Sequence, residues 1–330
     1  MNIVYLIGNG FNINLKLQTR YSDFYKEFDK QSFTNKGTEL LKSEIKSNTK
    51  DWSDFEKKFG DFTSQFIDKD KDNVKEFNAT YKDVVTSLSK YLLEIEDSFN
   101  HEKIDEDKFI YDIINPEEHL LLKDQREIMT FKKIMENNPV KINFITYNYT
   151  TIIEKIFGKS FSIDLGLTRQ KKRILIEDIK HIHGYLDKRM IIGVNDKSQI
   201  SNQDFKNQDA ISYNLIKSIT NDISKELVKE DCINKINGAQ LIYIFGSSLG
   251  DTDLMWWELI LEKLKTNCRL IIFHRDNDTN PLFPSENTTI ENQVKVDFLN
   301  KSKLTVAEKE DIEDKMFVVV NSEMFDIQIE

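Results

Sequence analysis

The chain has 330 residues, of which 39% are hydrophobic and 11% aromatic, and its formal net charge is −10. A chain of this length can bury a large core, and its acidic balance disfavours nonspecific binding to nucleic acid. The two cysteines, Cys232 and Cys268, are too far apart in sequence to indicate a disulfide scaffold or a zinc module. No apolar stretch has the length of a membrane span and no leader signal precedes the first apolar run, so we expect a soluble cytoplasmic protein with no membrane partner.

The first predicted element is a short buried strand, Ile3–Ile7, that ends in a glycine-rich turn. Aromatic residues at positions 21, 24, 25 and 28 then share one helical face, which predicts a helix packed on the core. From position 29 to 138 the sequence has few glycines and repeated helical spacing of apolar residues. This stretch predicts a large all-helical insertion in a Rossmann-like core formed by residues 1–28 and 139–330.

After the insertion, apolar runs bounded by glycine, proline or polar residues predict further strands. The predicted strands are Val140–Thr146, Asp178–His183, Met190–Asn195, Leu241–Phe245, Arg269–His274 and Met316–Val320, with two helices within Ile200–Ile233. Runs rich in β-branched and aromatic residues are typical of strands that are buried on both faces of a parallel sheet. The sequence therefore predicts an α/β fold with a Rossmann-like parallel sheet flanked by helices.

Two of these strands run into similar turns, at Gly8–Phe11 and at Gly246–Asp253. Glycine allows a ligand to approach the backbone closely, and parallel α/β sheets bind ligands at the carboxyl ends of their strands. We therefore predict a nucleotide or phosphate pocket in which Gly8 and Gly10 admit the phosphates. The first turn lacks the third glycine of a dinucleotide motif, because Ile13 holds that position, so a purely structural turn is an equal alternative.

Polar residues at two other strand ends are candidates for catalysis. Asn148 follows the strand that ends at Thr146, where a carboxamide can either cap the next helix or hold a ligand hydroxyl or water. His181 and His183 alternate along one strand, so their side chains point to opposite faces and do not suit a shared metal ion. His183 lies nearer the strand end and is the better candidate for a general base, with a structural histidine as the alternative.

The turn at Gly246–Asp253 has two further interpretations. Asp251 or Asp253 could cap the following helix. The spacing Gly-x-Ser-x-Gly also matches a hydrolase nucleophile elbow with Ser248 at its centre. Such a hydrolase needs a later histidine, and the sequence offers only His274.

Five motifs taken together resemble the AbiH family of bacterial abortive-infection proteins. They are Gly8–Phe11, Trp52–Glu56, Thr146–Thr150, His181–Gly184 and Phe245–Asp253. The resemblance covers nearly the whole chain and is most specific at Ser248–Asp253. The chain departs from the family pattern at Asn12, where aspartate is usual, and at Ser247, where histidine is usual. The charged group and the proton-transferring group that the family usually has at those two positions are therefore absent from this chain.

The order of the motifs also resembles, more distantly, the sirtuin-like NAD-binding fold and its antiphage NAD-cleaving branch. This resemblance implies that Asn148 and His183 form the catalytic pair. Together with the turns, it gives a predicted cofactor-binding set of Gly8, Asn9, Gly10, Phe11, Thr146, Gly246, Ser247, Ser248, Asp251 and Asp253. The zinc-binding cysteines of sirtuins have no counterpart here, which favours NAD cleavage over protein deacylation, and no metal is expected.

The two resemblances together imply an antiphage protein that cleaves the nicotinamide–ribose bond of NAD. Cleavage builds positive charge on the ribose, as in glycoside hydrolysis, although the usual carboxylate pair is not recognisable in the sequence. Trp52 and Glu56 could close the helical insertion over the pocket as a lid, with a structural tryptophan and an ion-paired glutamate as the alternative.

Two other functions stay open at this stage. One is a noncatalytic nucleotide-sensing defence module that signals through the helical insertion. The other is a metal-dependent nuclease or phosphohydrolase that uses Asp251 and Asp253. The expected partners are NAD or a related nucleotide, a phage-derived activator and a second copy of the chain.

Overall fold

The computed structural model describes residues 1–50, 54–66, 71–135, 139–159, 161–168, 171–276 and 283–329. Within these residues the chain forms a seven-stranded sheet and fourteen α-helices. The strands are β1 (Asn2–Ile7), β2 (Val140–Thr146), β3 (Phe161–Leu167), β4 (Arg173–His181), β5 (Leu241–Phe245), β6 (Arg269–His274) and β7 (Met316–Val320). The helices are α1 (Gly10–Asn14), α2 (Tyr21–Lys30), α3 (Lys36–Ser47), α4 (Phe55–Phe62), α5 (Lys71–Ser98), α6 (Glu106–Ile114), α7 (Leu122–Met135), α8 (Ile152–Phe157), α9 (Asp209–Leu215), α10 (Lys217–Ser224), α11 (Val228–Gly238), α12 (Leu254–Leu264), α13 (Pro284–Leu299) and α14 (Val306–Glu313).

The strands lie in the order β3-β4-β2-β1-β5-β6-β7, and only β3 is antiparallel to its neighbour. Without β3, the six parallel strands follow the order 3-2-1-4-5-6, which is that of a doubly wound dinucleotide-binding sheet. The direction of winding reverses between β1 and β5, so the topological switch point lies there. The predicted Rossmann-like parallel sheet flanked by helices is confirmed.

The strands β1, β2, β5, β6 and β7 are largely apolar and are buried on both faces of the sheet, whereas the edge strand β3 is mostly exposed. On β1, Tyr5 and Ile7 point to one face, and Val4 and Leu6 point to the other. The first face packs against α6 and α7, and the second packs against α11 and α12. None of the helices in the described ranges combines the length and apolar character needed to cross a bilayer.

A third core lies away from the sheet and is rich in aromatic residues. It joins α2, α3, α4 and α5 to residues 186–216. Phe59 of α4 is fully buried, with its ring centroid 5.3 Å from those of both Phe55 and Phe77. The helices described between residues 29 and 138 therefore serve two cores, because α6 and α7 cover the sheet while α3, α4 and α5 build this one. The domain boundaries drawn from the sequence stay a prediction.

Three predicted elements differ from the structure. The segment Met190–Asn195 is not a strand. Val194 N donates to Leu215 O, and Gly193 N donates to a Glu56 carboxylate oxygen. The segment therefore packs between α4 and α9, and its pairing is limited to an isolated bridge between Val194 and Ile216. The strand predicted at Asp178–His183 begins earlier and ends at His181, which places His183 in the following turn. Three helices, α9, α10 and α11, replace the two predicted within residues 200–233.

Candidate functional site

The carboxyl ends of the parallel strands meet at one edge of the sheet. In register, Ile7 at the end of β1 lies beside Thr146 of β2 and Phe245 of β5. The turns that follow β1 and β5 therefore converge, and a cavity of about 860 Å³ opens at this switch point. Of the predicted cofactor-binding set, its lining contains Gly8, Asn9, Gly10, Gly246, Ser247, Ser248 and Asp253.

The two turns interlock through their backbones. Gly8 N donates to Phe245 O (2.9 Å), and Gly10 N donates to Gly246 O (2.7 Å). A Cβ atom added to Gly10 would lie 2.5 Å from Gly246 Cα, and Gly246 has a φ of +67°. Glycine is required because of this close approach. Both amides already donate hydrogen bonds within the protein, so Gly8 and Gly10 shape the cavity wall. Their N–H groups are therefore not available to a phosphate, contrary to the expectation from the sequence.

Asn9 and Phe11 complete the first turn through contacts within the protein. Asn9 donates from Nδ2 to Thr19 O (2.8 Å), and its Oδ1 accepts from the Thr19 hydroxyl (2.7 Å). Phe11 is buried, and its ring packs against Phe109 and Phe325. Asn9 therefore fixes the turn to the loop before α2, while Phe11 belongs to the core and lies outside the cavity lining.

Thr146 and Asn148 lie directly behind the cavity wall. The Thr146 hydroxyl donates to Ile7 O (3.2 Å) and accepts from Asn148 N (3.0 Å). The Asn148 carboxamide donates from Nδ2 to Gly8 O (3.3 Å). Both residues are buried, and neither is among the lining residues of the cavity. Their contacts connect the end of β2 to the first glycine turn.

The capping alternative for Asn148 is wrong, because α8 begins at Ile152 with Thr151 in the N-cap position. Instead, the Asn148 carbonyl oxygen accepts from His181 Nδ1 (2.8 Å). His181 Nε2 contacts the Glu154 carboxylate at 2.7 Å, and the His181 side chain is fully buried. His181 is therefore a structural histidine that holds the backbone of Asn148.

His183 belongs to a group of four charged or titratable residues, Glu56, His183, Lys217 and Asp253, which we term the buried charge cluster. His183 Nε2 is 3.0 Å from Asp253 Oδ1. Lys217 Nζ donates to Asp253 Oδ1 (3.0 Å) and to Glu56 Oε2 (2.7 Å). Glu56 and Asp253 line the cavity, whereas His183 and Lys217 lie behind them. The cluster brings together side chains from α4, α10 and two strand-end turns.

The charges of this cluster stabilise one another. Burial raises the pKa of the Asp253 carboxyl, but the Lys217 ammonium and His183 outweigh that effect and hold the pKa well below its ordinary value of 3.8. Burial lowers the pKa of Lys217, but Asp253 and Glu56 raise it above its ordinary value of 10.5. Two carboxylates face one ammonium, and His183 contacts the same Asp253 oxygen as Lys217 does.

Glu56 connects the helical insertion to the core. Its Oε1 accepts from Gly193 N (3.2 Å), and its Oε2 accepts from the Thr252 hydroxyl (3.1 Å) as well as from Lys217. The ion-paired glutamate of the sequence analysis is therefore confirmed. Trp52, the other member of that motif, lies outside the described residues.

Asp251 and Asp253 are close in sequence, but their side chains contact different groups of residues. Asp251 pairs with Lys301 (2.6 Å) and Lys57 (3.5 Å), and it lines a second cavity of about 650 Å³. Asp253 occupies the N-cap position of α12, but its side chain makes no capping hydrogen bond there and contacts the buried charge cluster instead. The two carboxylates do not converge on one point, which the metal-dependent alternative would require.

Ser248 and His274 line both cavities. A nucleophile elbow requires a base within hydrogen-bonding distance of the serine hydroxyl. No hydrogen bond joins Ser248 to His274 in the part of the chain that the structure describes, so the elbow lacks its base.

The two departures from the family pattern lie in different places. Asn12 is buried, and its Nδ2 donates to the Thr150 hydroxyl (2.8 Å). Its Oδ1 has no hydrogen-bond partner among the described residues. Ser247 lines both cavities, and its hydroxyl oxygen accepts from Leu249 N (3.1 Å). Asn12 therefore acts in the core, and only Ser247 can contact a ligand.

The cationic lining of the cavity and most of its aromatic lining were not indicated by the sequence. Arg20, Lys50 and Arg275 line it from three separate segments, together with Tyr21 and Tyr25 of α2. Arg20 has no ion-pair partner within the described ranges, and Arg275 donates to an Asn14 oxygen rather than to a carboxylate. Isolated arginines and lysines do not form a recognisable motif. Of these three residues, only Arg275 could have been placed near the cavity from the sequence, because it directly follows β6.

A comparison with protein families identifies the chain. The model of the family described as bacteriophage abortive infection AbiH matches residues 4–274. The match runs from β1 to the end of β6, and it includes both glycine turns and all four residues of the buried charge cluster. Among curated proteins, none matches the chain. The role indicated by the match is defence against phage by abortive infection, and the chain belongs to the AbiH family.

Proposed function

We propose that this protein is an NAD glycohydrolase, which acts in abortive infection by cleaving the nicotinamide–ribose bond of NAD. The observation that carries the proposal is the cavity of about 860 Å³ at the switch point between β1 and β5. Doubly wound sheets bind dinucleotides at this position. The cavity is also of the size that encloses small-molecule ligands.

The charged lining supports a substrate that carries phosphates and a cationic ring. Arg20 and Arg275 come from opposite ends of the sequence and both line the cavity. Guanidinium groups bind phosphate oxygens through paired hydrogen bonds. Because the Gly8 and Gly10 amides are occupied, these side chains are the groups we expect to neutralise the pyrophosphate. Tyr21 offers an aromatic surface for a base or the nicotinamide ring.

The buried charge cluster supports the chemistry of bond cleavage. The bond between ribose C1′ and the nicotinamide nitrogen breaks with its electron pair moving to nicotinamide, which leaves positive charge on the ribose. Water then adds to C1′ and releases a proton, giving ADP-ribose and nicotinamide. Carboxylates such as Glu56 and Asp253 in the cavity wall stabilise the positive charge that develops in the transition state of such a reaction.

Asn148 and His183 take part in this proposal from behind the wall. Asn148 holds the Gly8 carbonyl oxygen, and His183 holds Asp253. We therefore propose that they position cavity-lining groups, rather than contact the substrate in the conformation described. The same placement favours a second candidate, a module that binds NAD and signals without turning it over.

The test is the release of nicotinamide from NAD by the purified protein, assayed alone and with an extract of phage-infected cells. We expect equal amounts of nicotinamide and ADP-ribose, and a loss of about 100-fold in Asn148→Ala and His183→Ala. Asn143→Ala is the matched control, because Asn143 is equally buried on β2 but bonds to Lys235, away from the cavity. NAD binding without nicotinamide release in either condition would contradict catalysis and support the sensing module.

A further inference from the structure

Glu56 and Asp253 both line the cavity, but they differ in how their carboxylate oxygens are used. Both oxygens of Glu56 accept hydrogen bonds within the protein. In Asp253, Oδ1 accepts from His183 and Lys217, whereas Oδ2 has no hydrogen bond to any described residue. The Asp253 side chain is 15% exposed and lines the cavity. One oxygen of Asp253 is therefore fixed, and the other is free to meet a ligand.

Lys217 fixes this geometry from a position that a substrate cannot reach. Its side chain is 7% exposed, and its ammonium lies between the two carboxylates, 3.0 Å from Asp253 and 2.7 Å from Glu56. A buried ammonium is stable only when it is paired, and here the pairing also prevents repulsion between the two carboxylates. Lys217 therefore keeps Asp253 ionised and oriented without contacting the cavity.

We infer that Asp253 is the catalytic carboxylate, that its Oδ2 faces the ribose of a pyridine nucleotide, and that Lys217 is its positioning residue. This inference rests on the proposed NAD cleavage. As the bond from C1′ to nicotinamide breaks, the Oδ2 atom stabilises the positive charge on the ribose without forming a bond to it. Water adds its oxygen to C1′, and the released proton passes to Asp253 and then to solvent.

The buried charge cluster supplies the carboxylate pair that the sequence did not reveal. Glu56 and Asp253 stand far apart in the chain, one in the helical insertion and one after β5. Both oxygens of Glu56 accept hydrogen bonds from the protein, whereas Asp253 keeps one oxygen without such a bond, and this difference gives the two carboxylates different roles. Glu56 is the structural member, and Asp253 is the reactive member.

Asp253→Asn tests the catalytic role, because it preserves the shape of the side chain and removes its charge. We expect the KM for NAD to change by less than about threefold and kcat to fall by about 100-fold or more. Asp178→Asn is the matched control, since Asp178 is a partly buried aspartate of β4 that pairs with Lys180 outside this cavity, and we expect kcat within about twofold of the wild type. A kcat for Asp253→Asn near that of the wild type would overturn the inference.

Lys217→Gln and Lys217→Arg test the positioning role through the pH profile of kcat. The titratable groups around Asp253 are His183, Lys217, Glu56, Tyr21, Tyr147 and Tyr149. Without the ammonium, repulsion from Glu56 raises the pKa of Asp253, so the acid limb of the profile moves to higher pH in Lys217→Gln and returns in Lys217→Arg. A lowered kcat with an unchanged acid limb would mean that Lys217 is only structural.

The outcomes separate this inference from the proposed function. If the wild type releases nicotinamide and Asp253→Asn does so equally well, NAD cleavage stands and the role of Asp253 fails. If the wild type binds NAD but releases no nicotinamide with infected-cell extract, both fail. If Asp253→Asn loses NAD binding or its folded circular dichroism spectrum, Asp253→Glu replaces it, and we expect that variant to retain binding and to recover more kcat than Asp253→Asn.

Discussion

Three glycines determine how closely the turns after β1 and β5 approach each other. Gly8, Gly10 and Gly246 each place an imagined Cβ less than 3.0 Å from backbone atoms of the opposite turn. Backbone atoms cannot move away from an added Cβ atom as easily as the end of a flexible side chain can. The turns therefore tolerate no side chain at these positions, whichever ligand the cavity holds.

Gly246→Ala should lower the free energy of unfolding by at least about 2 kcal/mol, because the new methyl clashes with Phe11 N and the positive φ disfavours alanine. Gly250→Ala is the control. Gly250 has a φ of −63°, and the nearest atom to an added Cβ is 3.5 Å away, so we expect a change below about 0.5 kcal/mol. Urea denaturation of both variants measures the difference, and equal stability would refute the interlocked turns.

Asp253 should also make stability depend on pH. Its pKa in the folded chain is held below the ordinary value of 3.8, so its ionised form stabilises the fold fully above about pH 5. That contribution declines as the pH falls below about 4 toward the lowered pKa. We expect the difference in unfolding free energy between wild type and Asp253→Asn to shrink by about 1 kcal/mol between pH 6 and pH 3. A difference that does not vary with pH would show that the ion pair is absent.

Helix α4 carries both the Glu56 contact and part of the aromatic core. One face places Glu56 against Lys217, and another packs Phe55 and Phe59 against α2 and α5. The aromatic core therefore sets the position from which Glu56 reaches the buried charge cluster.

Phe59→Ala should destabilise the protein by about 3–5 kcal/mol, because it leaves a cavity among stacked rings. Phe161→Ala is the matched change on the edge strand β3, where the side chain is 66% exposed, and it should cost less than about 0.5 kcal/mol. Thermal denaturation of the two variants compares them. Similar melting temperatures would mean that the helical core contributes little to stability.

Some strands could be predicted from the sequence and others could not, because an apolar run marks burial and does not by itself define the secondary structure. The strands β1, β2, β5, β6 and β7 were predictable because they are continuous apolar runs that end in polar or glycine-rich segments. An apolar run alone does not distinguish a strand from a buried irregular segment, and Met190–Asn195 was mistaken for that reason. The edge strand β3 escaped prediction because most of its residues are exposed or half-exposed.

The cavity as a whole combines local features with contacts across the entire chain. Its glycine turns were predictable, since both follow buried strands. Lys217 was not, because a lysine in a helix is ordinarily solvated and nothing in its local sequence indicates the two carboxylates that pair with it. Asn148 and His183 were placed at the correct strand ends, but only the structure reveals that another layer of residues separates them from the cavity.

The most direct test of NAD cleavage is the nucleotide content of infected bacteria that carry the wild-type chain, Asp253→Asn or the control Asp178→Asn. Mass spectrometry over the course of infection measures NAD, nicotinamide and ADP-ribose. We expect NAD to fall and both products to rise before lysis with the wild type and Asp178→Asn, and NAD to persist with Asp253→Asn. Restriction of the phage by the wild type while NAD stays constant would contradict the account.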